Sequence, residues 1–183
     1  MTKIFLDTEF TGLHQHTSLL SIGLVAETGE EFYAELTDYN EGEVTEWLRE
    51  NVMNKMWLAT GQAFDKAVKG TYLRGNQNEV TEALRQWLEP FEAIEIWADV
   101  LAWDWVLFCE LFGGAMYIPE NIFYAPFDTG TLFRYKGLTR PVSKYAEDPD
   151  RYEFAGADAV WRHNALADAR MEMICLQKLL ADE

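Results

Sequence analysis

Residues 4–13 read IFLDTEFTGL. Apolar and β-branched residues lead into Asp7, one residue separates it from Glu9, and Thr11-Gly12 end the run. This is a first core strand that finishes on two carboxylates. An unpaired carboxylate in apolar surroundings is costly, so the group normally neutralises or finds a cation. Either these acids end the strand in solvent, or something positive is held there.

The strand opens a chain of 183 residues, 49% hydrophobic and 14% aromatic. That length is most simply one domain, 1–183, burying about 70% of its extended-chain surface. Such a supply of apolar residues argues against disorder. Cys109 and Cys175 fall in apolar helical patterns and read as small core residues, with no Cys/His spacing for zinc. Lys3 is followed by only three apolar residues before Asp7, which does not resemble a signal peptide. The most apolar stretch, Trp97 to Pro119, carries Asp99, Asp104 and Glu110 and is no membrane span. The expectation is a reduced, cytoplasmic protein with no membrane partner. Thirty-one acids against 15 bases give a net charge of −16, which discourages long nucleic acid wrapped on a basic face.

Working outward, SLLSIGLVAE (18–27) and EEFYAEL (30–36) read as further strands joined by a glycine turn. Three antiparallel strands are expected at the N-terminus. Helical periodicity then takes over in EVTEWLRENV (43–52), with Trp47 on its core side, and in NEVTEALRQWLEPF (78–91). Asn78 is the expected N-cap of the second and Pro90 its stop. AIEIWA (93–98) is a strand, WDWVLFCELFGG (103–114) a helix ending in glycines, and NIFYAPFDT (121–129) a strand and turn. A last helix from Asn164 to Leu180 places Ala165, Ala169, Met173, Leu176 and Leu180 at core spacing. The fold class is α/β, a mixed sheet with antiparallel N-terminal strands and later parallel ones, flanked by helices.

Further acids fall at telling positions. Asp104 follows a predicted central strand, and Asp7 and Glu9 sit at the equivalent end of the first. Ligands bind outside the carboxyl ends of strands in open α/β sheets. Asp168 lies early in the last helix, five residues after His163. Five residues turn an ideal helix by about 140°, so the two would not share a face. With Asn164 as N-cap, His163 stands outside the helix and can fold over the site. Four carboxylates in one cleft raise one another's pKa values. Two divalent cations would neutralise Asp7, Glu9, Asp104 and Asp168, and an all-oxygen donor set suits Mg²⁺ or Mn²⁺. Paired ions of this kind serve in-line displacement at phosphorus, with a histidine available to accept the proton of the attacking water.

LDTEFTGL, the Asp in LAWDWVLF, and HNALADA together resemble the three motifs of the DEDDh-type, DnaQ-like 3′–5′ exonucleases of the ribonuclease H-like superfamily. FDTGTLFR is similar to the Asp-Thr segment that often follows the second motif. The resemblance implies that Asp7, Glu9, Asp104 and Asp168 are metal ligands and His163 the general base. It places Phe10, Thr11, Gly12 and Leu13 against the terminal nucleotide. It implies release of nucleoside 5′-monophosphates from the 3′ ends of single-stranded RNA or, alternatively, DNA, and by analogy a homodimer. The chain departs from the pattern at Val100, where an Asn is usual, which leaves Asp99 as a competitor to Asp104. A dead binding module would have lost an acid or the histidine, whereas all five positions are filled. His14 and His16 read as loop residues, Trp103 and Trp105 as core packing, and Arg134, Lys136 and Arg140 as a solvated basic cluster.

Overall fold

The computed structural model describes residues 1–139 and 150–181. Among these, six strands form one sheet: β1 (Thr2–Phe10), β2 (Leu19–Ala26), β3 (Glu31–Leu36), β4 (Gly70–Gly75), β5 (Ile94–Ala98) and β6 (Phe127–Asp128). Their order is β4-β3-β2-β1-β5-β6. The first three strands pair antiparallel, as the sequence suggests, while β4, β5 and β6 join parallel to their neighbours. The α/β fold class expected from the sequence is the one observed.

Seven α-helices flank the sheet among the described residues. They are α1 (Glu46–Asn51), α2 (Trp57–Thr60), α3 (Gln77–Leu88), α4 (Ala102–Leu111), α5 (Thr129–Tyr135), α6 (Arg151–Ala155) and α7 (Ala165–Ala181). None is long and apolar enough to cross a membrane. Strand side chains alternate between faces, and the parity sorts them cleanly. Ile4, Leu6, Leu24, Phe32 and Ala34 pack with Val80, Leu84 and Leu88 of α3 and Leu107 and Phe108 of α4. Val25 and Tyr33, of the opposite parity, pack with Trp57 and with Ala165, Leu166 and Ala169 of α7.

The second face is polar in sequence yet covered. Every residue of β3 is buried, including Glu31 and Glu35. Glu31 survives there because Arg170 of α7 grips it with two nitrogens, each at 2.7 Å, and Tyr72 donates at 2.7 Å. Glu35 accepts from the Tyr33 hydroxyl and from the backbone N–H groups of Leu58 and Ala59 at the start of α2. Each buried oxygen is therefore satisfied, the condition for a charge to remain inside.

Several expectations are corrected. Asn76, not Asn78, caps α3: its Oδ1 accepts from the Glu79 N–H while the Glu79 carboxylate accepts from the Asn76 N–H. The N-x-x-E spacing of a capping box begins at Asn76, two residues before Asn78. Trp47 is 54% exposed because α1 starts at Glu46 and turns that side chain outward. Leu180 is exposed and Leu179 buried, since Leu179 packs with Phe133 of α5 and with Tyr152 and Ala155 of α6. NIFYAPFDT supplies only an isolated bridge at Ile122 and the two residues of β6, and FDTGTLFR continues into α5. β4 was not foreseen. Cys109 and Cys175 are free and buried, as read. Arg140 lies outside the described residues.

α7 sits unusually close to β2. A Cβ on Gly23 would lie 2.4 Å from the backbone carbonyl of Ala165, so only glycine permits this approach. The helix is consequently set against the strand pair that carries the acids. Gly23→Ala is expected to overpack this contact, costing about 1–3 kcal/mol and lowering Tm by roughly 3–10 °C. Differential scanning calorimetry checks it; an unchanged Tm would mean that the helix shifts freely.

Candidate active site

β1 and β5 run parallel, so their carboxyl ends meet at one edge of the sheet. Asp7 and Glu9 have the same parity as Phe5 and project toward α7. The β1–β2 register shifts between Glu9 and Phe10, a local irregularity of the kind that re-aims side chains beside active sites. Asp168, in the first turn of α7, meets them there: one carboxylate oxygen from each of Asp7, Glu9 and Asp168 lies within 4.8 Å of the others. Asp104 comes from the helix on the other face. Its Oδ1 accepts from the backbone N–H (2.9 Å) and hydroxyl (2.6 Å) of Thr8, the residue between the two strand acids.

All four acids line one cavity of about 480 Å³, together with Phe10, Leu13, Asp99, Val100, Trp103, Tyr152, His163 and Glu172. Trp103 thus borders the cleft, and its ring lies 6.2 Å from that of Phe10. Thr11 is buried and held by Glu43 at 2.5 Å and, through its hydroxyl, against the Ser18 N–H. Gly12 donates its N–H to Thr17. These bonds shape the turn between β1 and β2 and leave Leu13 exposed at the rim. The competitor Asp99 faces the same cavity, but Arg151 already neutralises it, with Nε 2.7 Å from one oxygen.

The electrostatics follow from burial. Desolvation, then Asp168, Asp104, Glu9 and Glu172, drive the Asp7 carboxyl well above the usual range. Glu9 is raised in the same way by burial, Asp168 and Asp104, with Lys55 opposing. Burial lifts Asp104 and Asp168 to about 6 despite their hydrogen bonds, to Thr8 in one case and to Tyr152 and His163 in the other. Asp7 Oδ2 is buried without any hydrogen-bond partner. An orphaned carboxylate oxygen beside two further acids is a donor set that a hard divalent cation fits.

Asn164 caps α7, its side-chain oxygen accepting from the Ala167 N–H, so His163 stands just outside the helix. The loop is fixed from below. Asn164 donates to the Tyr33 hydroxyl (3.1 Å) and the Lys55 carbonyl (2.8 Å), and Lys55 Nζ donates to the carbonyl of Arg162 at 2.6 Å. The His163 backbone adopts φ 68° and donates its N–H to Asp168 Oδ2. Its ring is 38% exposed, edge-on to Trp47, with Nδ1 3.9 Å from Glu9, beyond hydrogen-bonding distance. Burial, Lys55 and Arg162 depress its pKa below the ordinary histidine value, which favours the neutral ring.

Residues of other segments complete the arrangement. The Tyr152 hydroxyl donates to Asp168 Oδ1 at 2.5 Å, so both oxygens of Asp168 are oriented by the protein. No local pattern in the sequence marks Tyr152 or Lys55. Glu172 does carry a signal: it lies one helical turn after Asp168, and i, i+4 residues share a face.

Comparison with known proteins gives the family of the chain. Residues 2–180 match the family described as the Rv2179c-like 3′-5′ exoribonuclease domain. Two proteins of Mycobacterium tuberculosis, from strains ATCC 25618 / H37Rv and CDC 1551 / Oshkosh, are each named as a 3′-5′ exoribonuclease. Each is 32% identical to the chain over 123 residues, covering 66% of this chain and 67% of the relative. The chain belongs to the Rv2179c-like 3′-5′ exoribonuclease domain family.

Proposed function

We propose that this cleft hydrolyses the terminal phosphodiester of single-stranded RNA from its 3′ end, releasing nucleoside 5′-monophosphates. The observation that carries the reading is the convergence of Asp7, Glu9 and Asp168 within 4.8 Å, with His163 lining the same cavity. Asp7, Glu9 and Asp168 would hold divalent cations, with Asp104 completing the set from the opposite face. When bound, a pair of Mg²⁺ or Mn²⁺ ions lowers the pKa of the attacking water and stabilises the departing 3′ oxygen.

The chain's own residues do the rest. His163, neutral and reachable from solvent, accepts the proton of the attacking water through a ring nitrogen. Depression of its pKa keeps it competent as a base through neutral pH. The Asn164–Lys55 anchor fixes the loop and so the reach of the ring. Tyr152 and the His163 N–H hold Asp168 in one rotamer, the kind of outer support on which ligand geometry depends. Phe10, Leu13 and Trp103 form the apolar wall for the terminal nucleoside, and Thr11 and Gly12 hold the turn that carries Leu13. A net charge of −16 suits a site that grips only the last nucleotides, without a long electrostatic track.

His163→Ala should lower kcat about 10²–10⁴-fold while retaining metal binding; full turnover across pH 6 to 8 would remove the histidine from the mechanism. On 3′- and 5′-labelled RNA and DNA oligomers with Mg²⁺, Mn²⁺ or chelator, the enzyme should shorten RNA from the 3′ end only when metal is present. Faster degradation of DNA would reverse the sugar preference.

Metal and proton also compete for the same oxygens. Carboxyls whose folded pKa is raised favour folding fully below the ordinary value near 4, and that contribution is lost as pH rises through about 6. Metal should therefore matter most above that window. Mn²⁺ at about 100 times its Kd is expected to raise Tm by roughly 5–10 °C at pH 7.5. The rise over chelator should shrink markedly at pH 5. Equal shifts at both pH values would place the ion elsewhere.

A further inference from the structure

Among the described residues, two non-glycine residues have positive φ, His163 and Val100, and both line the same cleft. Histidine tolerates the left-handed region; a β-branched residue there is a genuine outlier. Val100 has φ 55° and is 67% exposed, so no packing of its own side chain compels the conformation. Its flanks compel it. The Val100 N–H donates to Asp128 Oδ1 at 2.9 Å, and the preceding Asp99 N–H donates to buried Glu172 at 3.1 Å. Arg151 grips the Asp99 carboxylate in addition. Strain of this kind persists where the surroundings over-determine it, and it gathers at functional sites.

We infer that Val100 is a specificity-determining contact, an isopropyl group held out over the cleft to press on the 3′-terminal nucleoside. This rests on the cleft being the site of hydrolysis. Glycine or asparagine would occupy this backbone without strain. A β-branched apolar residue in their place is intelligible if its side chain does something in the cleft. The neighbouring rim residues Leu13 and Trp103 are apolar as well, whereas the floor is acidic. The contact would thus be made to base or ribose and not to phosphate.

The test is Val100→Asn, with Val100→Gly beside it, assayed on an oligoribonucleotide and on bis(p-nitrophenyl) phosphate, a phosphodiester lacking base and ribose. Tm should hold or rise in Val100→Asn. KM for the oligoribonucleotide should rise about tenfold in both variants, the lower end for a lost apolar contact in a specificity pocket. kcat should stay within about twofold, and turnover of the simple diester should not change. Unchanged KM on the oligomer would overturn the inference. So would equal losses on both substrates, which would mean that the turn acts through catalytic geometry. Failure of the underlying reading looks different: Asp7→Ala would still cleave the simple diester, placing the chemistry outside this cleft.

Discussion

The mutual repulsion of carboxylates in a desolvated cleft is the constraint to which the rest of the molecule is fitted. Beyond burial itself, Asp168 and Asp104 raise the pKa of both Asp7 and Glu9, and Glu9 adds to the burden on Asp7. A chain free to relax would turn these side chains into water. Here it cannot, because each comes from an element fixed by independent packing. Strand parity aims Asp7 and Glu9 at α7, the absence of a side chain on Gly23 lets α7 close on the sheet, and Thr8 ties Asp104 to the strand end. The unfavourable assembly is sustained by the apolar core on both sheet faces, and it leaves a buried Asp7 oxygen with no protein donor.

Positioning groups extend that logic outward. The buried chain Glu35–Tyr33–Asn164 links the middle of β3 to the turn before α7, and Lys55 bonds to the carbonyl preceding His163. Fully satisfied buried networks of this sort rigidify what they touch. The histidine therefore stands on a rigid base while its ring remains open to solvent. On the other side, Glu172, Asp128 and Arg151 hold the turn after β5. Both non-glycine residues of positive φ in the cleft, Val100 and His163, are thus clamped by hydrogen bonds of their own turns.

Much of this was legible in the amino-acid order. β1 to β3 announce themselves by apolar runs and a glycine turn, period-two alternation puts Asp7 and Glu9 on one face, and Asn164 is readable as a cap. The last acid and the histidine follow from that cap. What escaped has physical causes. β4 is a short edge strand bounded by glycines, stabilised by pairing with β3 and not by its own pattern. α2 and α6 are too brief for periodicity to register, and helices of such length form through tertiary contact. Glu31 and Glu35 looked like a polar face, but Arg170 and the start of α2 arrive from distant segments to cover them. Spacing alone puts Trp47 in the core; the helix starts later than the pattern and carries the ring to His163. Tyr152 reaches Asp168 only through the docking of α6 on α7, which no local pattern encodes.

The central claim is that these acids tolerate one another through bound divalent cations. Anomalous diffraction from crystals soaked in Mn²⁺ with a nucleoside 5′-monophosphate tests it most directly. The account expects anomalous density among Asp7, Glu9 and Asp168, with the phosphate beside it and His163 turned toward the phosphorus. Density seated at another acidic cluster, or a clear cleft with Mn²⁺ at saturating concentration, would contradict it.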